Sequence, residues 1–550
     1  MQKVIAISGV TLFVFLTSLF MACSERQAAD LIVRNAKIYT VDSHFSQLGC
    51  MAIAKGRIVG IGSEAEINSR FTSGDVLDAG GKFIYPGFID AHCHFLGYGL
   101  TLSKASLSGA KSWEEVVDRL VEHQKQFPTE WVEGRGWNQN EWDVREFPTN
   151  ELLNKAFPTK PVLIIRVDGH AAIANSFALR KAQVNEKSKV NGGELIIRDG
   201  KLTGVLIDNA IDLVRRVIPA VSAETKAKAL LKAQENCFAV GLTSVSDAGL
   251  DCDEVQLIDS MHRAGKLKMR IYAMLNPTPA NFETFVSKGI YLTDYLTVRS
   301  IKLFADGALG SRGALLLEPY TDSPNSKGLQ MEKYEYYDDI CRRAIAANYQ
   351  VCTHCIGDGA VRLMLDVYSG HLAESNDCRW RIEHSQIVHP ADLPRYGQCR
   401  IVPSIQTTHA TSDMEWADER LGDRIKYAYA YQDLLRQNGW LPNGSDFPVE
   451  HINPIYGFYS GVARKNFNGN PPDGFQMENA LTREQALRAM TIWAAKSSFE
   501  EDVKGSLEVG KFADFVILNE DLMDTPEESL FKVKVLGTYI AGSEVFSCNN

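Results

Sequence analysis

The chain has 550 residues, 45% hydrophobic, 23% charged and 9% aromatic, which excludes a disordered, collagenous or coiled-coil molecule. Length allows two to four domains, or one large barrel with attachments. Lys and Arg total 58 against 68 Asp and Glu, a net charge of −10 without a basic run, so nucleic acid is not an expected partner.

Lys3 precedes an apolar run from Val4 to Ala22, the pattern of a secretory leader. Ala22-Cys23-Ser24 follows and resembles the lipobox of bacterial lipoproteins, although Phe20 and Met21 stand where smaller or aliphatic residues are usual. The resemblance implies removal of residues 1–22, lipidation of Cys23 and a short linker over 23–30. The protein would be an exported cell-envelope lipoprotein of a bacterium, periplasmic or anchored to the outer membrane, touching the membrane by its lipid alone. An uncleaved anchor or an ordinary signal peptide stays open. No later stretch approaches the ~18 apolar residues of a span. The chain has eleven cysteines, too few for a disulfide scaffold. Cys378 and Cys399 could pair, whereas Cys93, Cys352 and Cys355 fall in strand-like segments and are expected in the core.

Short β segments separated by glycine and polar residues begin at Leu31 and recur after Asp514. They suggest one small β-sandwich built from both chain ends, residues 31–84 and 505–550. Between them strands and helices alternate. Strands are expected at Phe83 to His94, Pro161 to Val167, Leu242 to Val245, Arg270 to Met274 and Arg299 to Phe304. Further strands are expected at Gln350 to His354, Arg379 to His384, Arg400 to Ser404 and Asn438 to Asp446. Helices are expected at 112–126, 222–240, 334–348, 360–372 and 482–495. Alternating β and α argues a parallel sheet, and this many units an α/β fold of the (β/α)8 TIM-like barrel type over 85–504. The surplus length falls in an insertion of about 97–221.

The histidines, only twelve, carry the chemistry. In Pro86-Gly87-Phe88-Ile89-Asp90-Ala91-His92-Cys93-His94, alternation puts both imidazoles on one strand face and Cys93 on the other. Two imidazoles at a strand's C-terminal end suit a metal. The placement recurs. His354 ends the strand from Gln350, His384 follows Trp380-Arg381-Ile382-Glu383, and Asp446 ends Asn443-Gly444-Ser445. Lys302 lies inside the otherwise apolar Ser300-Ile301-Lys302-Leu303-Phe304, where burial is costly unless it is paired or neutralised. It reads either as an inward lysine salt-bridged to a carboxylate or as a lysine made anionic by CO₂.

His92-x-His94, Lys302, His354, His384 and Asp446, in that order, resemble the metal-dependent amidohydrolase superfamily. Gly134-Arg135-Gly136-Trp137-Asn138, Asp168-Gly169-His170-Ala171, the run Lys302 to Arg312, and His354 to Ala360 are similar to its amidohydrolase-3 branch, which includes N-substituted formamide deformylases. The resemblance implies that His92, His94 and Asp446 hold one divalent ion and His354 and His384 a second. Zinc is the expected metal, one or two ions, with carbamylated Lys302 as a bridge. It implies an enzyme that hydrolyses a small-molecule, non-peptide amide-type C–N bond, with Asp446 as proton carrier and His384 beside it. A ring-carbon deaminase and a non-catalytic ligand-binding lipoprotein remain alternatives, as does a homo-oligomer. His170, Asp306, Arg312, His409 and Trp137 are the candidate substrate contacts, Trp142 a further apolar wall, and Asp90 a candidate acceptor for a ligand imidazole. The other histidines read as surface or structural.

Overall fold

The computed structural model describes residues 26–548, so the leader and Cys23 lie outside the described residues. Seven parallel strands form one curved sheet: Phe88–Cys93, Leu242–Leu250, Arg270–Leu275, Leu296–Phe304, Gln350–Cys355, Arg381–His384 and Val402–Ser404, paired in that order. The segment 442–447 closes the ring. On one side Ile405 N–H donates to Pro442 and Gly444 N–H to Ile405; on the other Ala91 donates to Asn443, Asp446 to His92 and His94 to Phe447. The result is a TIM-like barrel, with the expected barrel strands in the expected order. The last strand differs from expectation. Residue 438 ends a helix, Tyr431–Asn438, which Gly439 stops in the left-handed conformation at φ 74°, so the closing segment is short.

The helices follow from their caps and apolar faces. Ser112 caps Trp113–Gln126 and Ser222 caps Ala223–Ala239, each accepting from a backbone N–H three residues on. The flanking helices bury Leu230, Ile258, Ile340 and Leu365 in one large apolar cluster around the barrel.

The Pro161–Val167 stretch does not join the barrel. It contributes Val162–Arg166 to a separate six-stranded mixed sheet, which runs in sequence from Ala105–Ser106 to Lys201–Asp208. This inserted sheet has its own core around Leu120, Trp137, Val162 and Ile207. The chain ends build two more sheets. One has four strands, Arg57–Gly62, Cys50–Ala54, Leu31–Arg34 and Val76–Asp78. The other has six, joining Ser543–Ser547, Val535–Ile540 and Phe515–Leu518 to Phe83–Pro86, Lys37–Tyr39 and Gln47–Leu48. Val33, Ile53, Ile84, Phe515 and Tyr539 share one cluster. The bidentate pair of Arg270 with Asp514, at 2.6 and 2.9 Å, ties the barrel to the C-terminal strands. The ten described cysteines are all unpaired, Cys378 and Cys399 included, and Cys93, Cys352 and Cys355 are buried.

Candidate metal centre and its cavity

Strand direction delivers the donors to one end of the barrel. His92 Nδ1–H donates to Glu383 Oε2 at 2.7 Å, both side chains fully buried. His94 Nδ1–H donates to the Ala248 carbonyl at 3.0 Å, and His384 Nδ1–H to Gln406 Oε1 at 2.6 Å. Each acceptor fixes a tautomer and leaves Nε2 with its lone pair turned inward. Asp446 Oδ1 stands 3.2 Å from His94 Nε2 and 3.5 Å from His92 Nε2, without a well-aligned hydrogen bond. His354 Nε2 is 3.3 Å from the Gly307 carbonyl, leaving Nδ1 free, and its ring lies 4.5 Å from that of His384.

Donor atoms of His92, His384 and Asp446 lie within 4.8 Å of one another. Lone pairs and a carboxylate converging in a buried space repel unless a cation lies among them. The donor chemistry therefore fits a divalent ion bound by imidazole and carboxylate. Lys302 Nζ meets His92 Nε2 at 3.2 Å and is 1% exposed.

Electrostatics follow the same design. Burial pushes His92, His354 and His384 down from the usual imidazole value, and the Lys302 charge adds to this, keeping them neutral as ligands must be. Burial also lowers Lys302, against the pull of Glu383 and Asp446. For Asp446, burial raises the carboxyl, but the adjoining His94, with His384 and His92 beside it, outweighs this and holds it well below the carboxylate range. Glu383, likewise raised by burial, is brought down to about 2 by His92, Arg381 and Lys302. Asp446 and His384 sit at positive φ, 59° and 71°, a strained backbone that aims both side chains inward.

A cavity of about 400 Å³ opens above this centre, with His354, His384 and Asp446 at its floor and His170 and His409 on its walls. The inserted sheet supplies one wall through Asn138, Arg166, Asp168 and His170. His170 Nδ1–H donates to Asp208 at 2.7 Å; burial works against its charge, but Asp208 raises it above the ordinary value. His409 stacks on His384, centroids 5.7 Å apart.

Five expectations need correction. Trp137 is fully buried in the insertion core, its indole N–H on the Ile164 carbonyl, because the inserted sheet needs a core of its own. Trp142 packs there too. Arg312 turns away to Asp322 at 2.7 Å. Asp306 is 0% exposed and accepts from the backbone N–H groups of Leu315, Ile356 and Gly357, so it pins two loops and cannot reach a substrate. Asp90 takes Ser445 and the His92 backbone N–H, and so staples the barrel seam instead of orienting an imidazole. Sequence reading missed Glu383, Gln406, Asp208 and Arg166. A Glu inside the apolar strand before His384 was the one available signal; the others carry none.

The profile of the amidohydrolase family matches residues 75–546. The chain belongs to the amidohydrolase family. It is a metal-dependent enzyme of the class that hydrolyses C–N bonds. Protein LONG AFTER FAR-RED 3 of Arabidopsis thaliana is 33% identical, the match covering 94% of this chain and 92% of the relative. N-substituted formamide deformylase of Arthrobacter pascens is 27% identical over 94% of this chain and 98% of its own. The crystal structure of an uncharacterized metal-dependent hydrolase from Pyrococcus horikoshii superposes with a TM-score of 0.72 at 28% identity, covering 90% of this chain and 99% of that one.

Proposed function

We propose that this amidohydrolase cleaves the C–N bond of a small N-substituted formamide or N-acyl amine by activated water. His92, His94, His354, His384 and Asp446 would hold one or two zinc ions, with Lys302 carbamylated at the centre. The convergence of the His92, His384 and Asp446 donors at the floor of one cavity carries this reading. These residues would hold a divalent ion, which when bound would supply an activated water at neutral pH and a polarised carbonyl. Asp446, kept ionised by its imidazole neighbours, accepts the water proton and returns it to the departing nitrogen. His170 and His409 face the bound amide from the walls, and the inserted sheet limits solvent above it. The formamide deformylase likeness supports the N-acyl class.

We read the two terminal sheets as one β-sandwich domain, and the chain as an exported lipoprotein anchored at Cys23. Cys23→Ser then moves the protein from the membrane to the soluble envelope fraction.

The test of the reaction is elemental analysis together with a screen of N-formyl and N-acyl amines, run on the parent and on Asp446→Asn. We expect the variant to retain metal and lose about 10²-fold or more in kcat, the scale of a general acid–base contribution. Near-normal turnover in Asp446→Asn removes Asp446 from the role.

A further inference from the structure

One wall of the cavity carries groups that the hydrolytic step leaves unused. Asp413 and Glu450 both line it. Their hydrogen-bond partners are neutral: Asp413 accepts from the Tyr429 hydroxyl at 2.8 Å, and Glu450 from the Ser412 hydroxyl at 2.7 Å. The cavity's arginine, Arg166, hydrogen-bonds to neither, although its charge acts on Asp413. It is engaged by Gln139, Asn138 and Asp168. Burial pushes both carboxyls up, Asp413 to about 7 and Glu450 to about 8, the latter with help from Asp413. Trp416 shares the same wall. Independently, His409 marks the cavity as a ligand site. It is 8% exposed, lines the cavity, and its Nε2 has no hydrogen-bond partner.

We propose that Asp413 and Glu450 bind an ammonium group of the substrate, so that the amide cleaved is an N-acylated amine bearing a second, cationic amine away from the scissile bond. The inference rests on the hydrolytic reading of this cavity and names its substrate class. An ammonium at this wall gains charge-assisted hydrogen bonds from two carboxylates. Connectivity sets its distance from the chemistry. Asp413 ends the helix Thr407–Asp413 that carries His409, and Glu450 lies one short loop beyond Asp446. A neutral amide fills the same space but gives neither carboxyl a cation to hold it ionised.

The experiment compares kcat/KM for a mono-N-acyl alkyl diamine with that for the N-acyl alkylamine of equal length, in the metal-loaded parent, Asp413→Asn, Glu450→Gln and Glu450→Asp. The parent should favour the diamine derivative by about tenfold, through KM. Asn and Gln should bring the ratio towards one, while Glu450→Asp, which keeps the charge, should keep most of it. A parent ratio of one or below, or a ratio indifferent to both neutralising variants, overturns the proposal. Calorimetric binding of a free alkyl diamine against the matching diol separates this from the reaction itself. Diamine-selective binding that Glu450→Gln abolishes upholds the ammonium site even where no amide is cleaved, whereas equal binding of diamine and diol refutes it.

Discussion

Lys302 illustrates how much one side chain depends on its surroundings. An ammonium in this barrel is costly, and burial moves the group towards the neutral amine, the form that reacts with CO₂. Lys302→Ala should therefore lose activity, and a short carboxylic acid should restore part of it, as measured by steady-state rates against acid concentration. Full activity without rescue would rule out a carbamate. His170 offers a pH signature. Asp208 raises its folded pKa above the unfolded ~6.5, so the pair's contribution to stability is complete below that pH. It is lost as pH rises through the folded value. Urea titrations of parent and His170→Gln should show a gap that narrows from mildly acidic to alkaline pH; a gap that widens contradicts the pairing. Both residues were legible in the sequence, Lys302 from its apolar strand and His170 from its motif. Their partners were not, because Asp208 reaches His170, and His92 reaches Lys302, only through sheet pairing remote in sequence.

At the scale of elements, the glycine-rich loop after the Lys302 strand is where the inserted sheet packs on the barrel. Its glycines accept the inserted sheet. A Cβ on Gly307 would come 2.3 Å from Asp208 Oδ2, and one on Gly310 would come 3.0 Å from an Arg166 guanidinium nitrogen. The run had suggested substrate binding through Asp306 and Arg312, yet its glycines matter for a packing reason visible only in three dimensions. Gly307→Ala should displace Asp208 and with it His170, raising KM several-fold while leaving metal content unchanged, as a paired kinetic and elemental assay would show. Helix starts were readable because Ser112 and Ser222 are strong caps. The final barrel strand was misjudged because its pairing comes from neighbours on both sides, not from β propensity, so its length had no local signal.

For the whole molecule, barrel order and the insertion followed from alternation and surplus length, since long periodic segments reveal their type. That the insertion reaches the cavity was readable from the His170 motif, but its lining by Asn138, Arg166 and Asp168 instead of Trp137 and Trp142 was not, because that depends on how two cores stack. The Arg270–Asp514 pair links barrel and C-terminal strands with both side chains almost wholly buried. Arg270→Ala leaves Asp514 buried without its cation and should cost about 3–5 kcal/mol of unfolding free energy, measured by denaturant titration. A loss below ~1 kcal/mol would show the pair to be solvated, like an exposed ion pair.

The seam at 442–447 would couple metal capture to the closing of the barrel. It brings Asp446 against His92, so the first and last donors come from opposite ends of the barrel sequence. A ribosome-bound or truncated chain that stops short of Gly444 lacks the carboxylate and leaves a sheet edge open. The full donor set would then be complete only with ring closure, and the free energy of ion binding would add to that of folding. A chelator should accordingly trap newly made chains in an open, protease-sensitive form while sparing those already sealed around their ion.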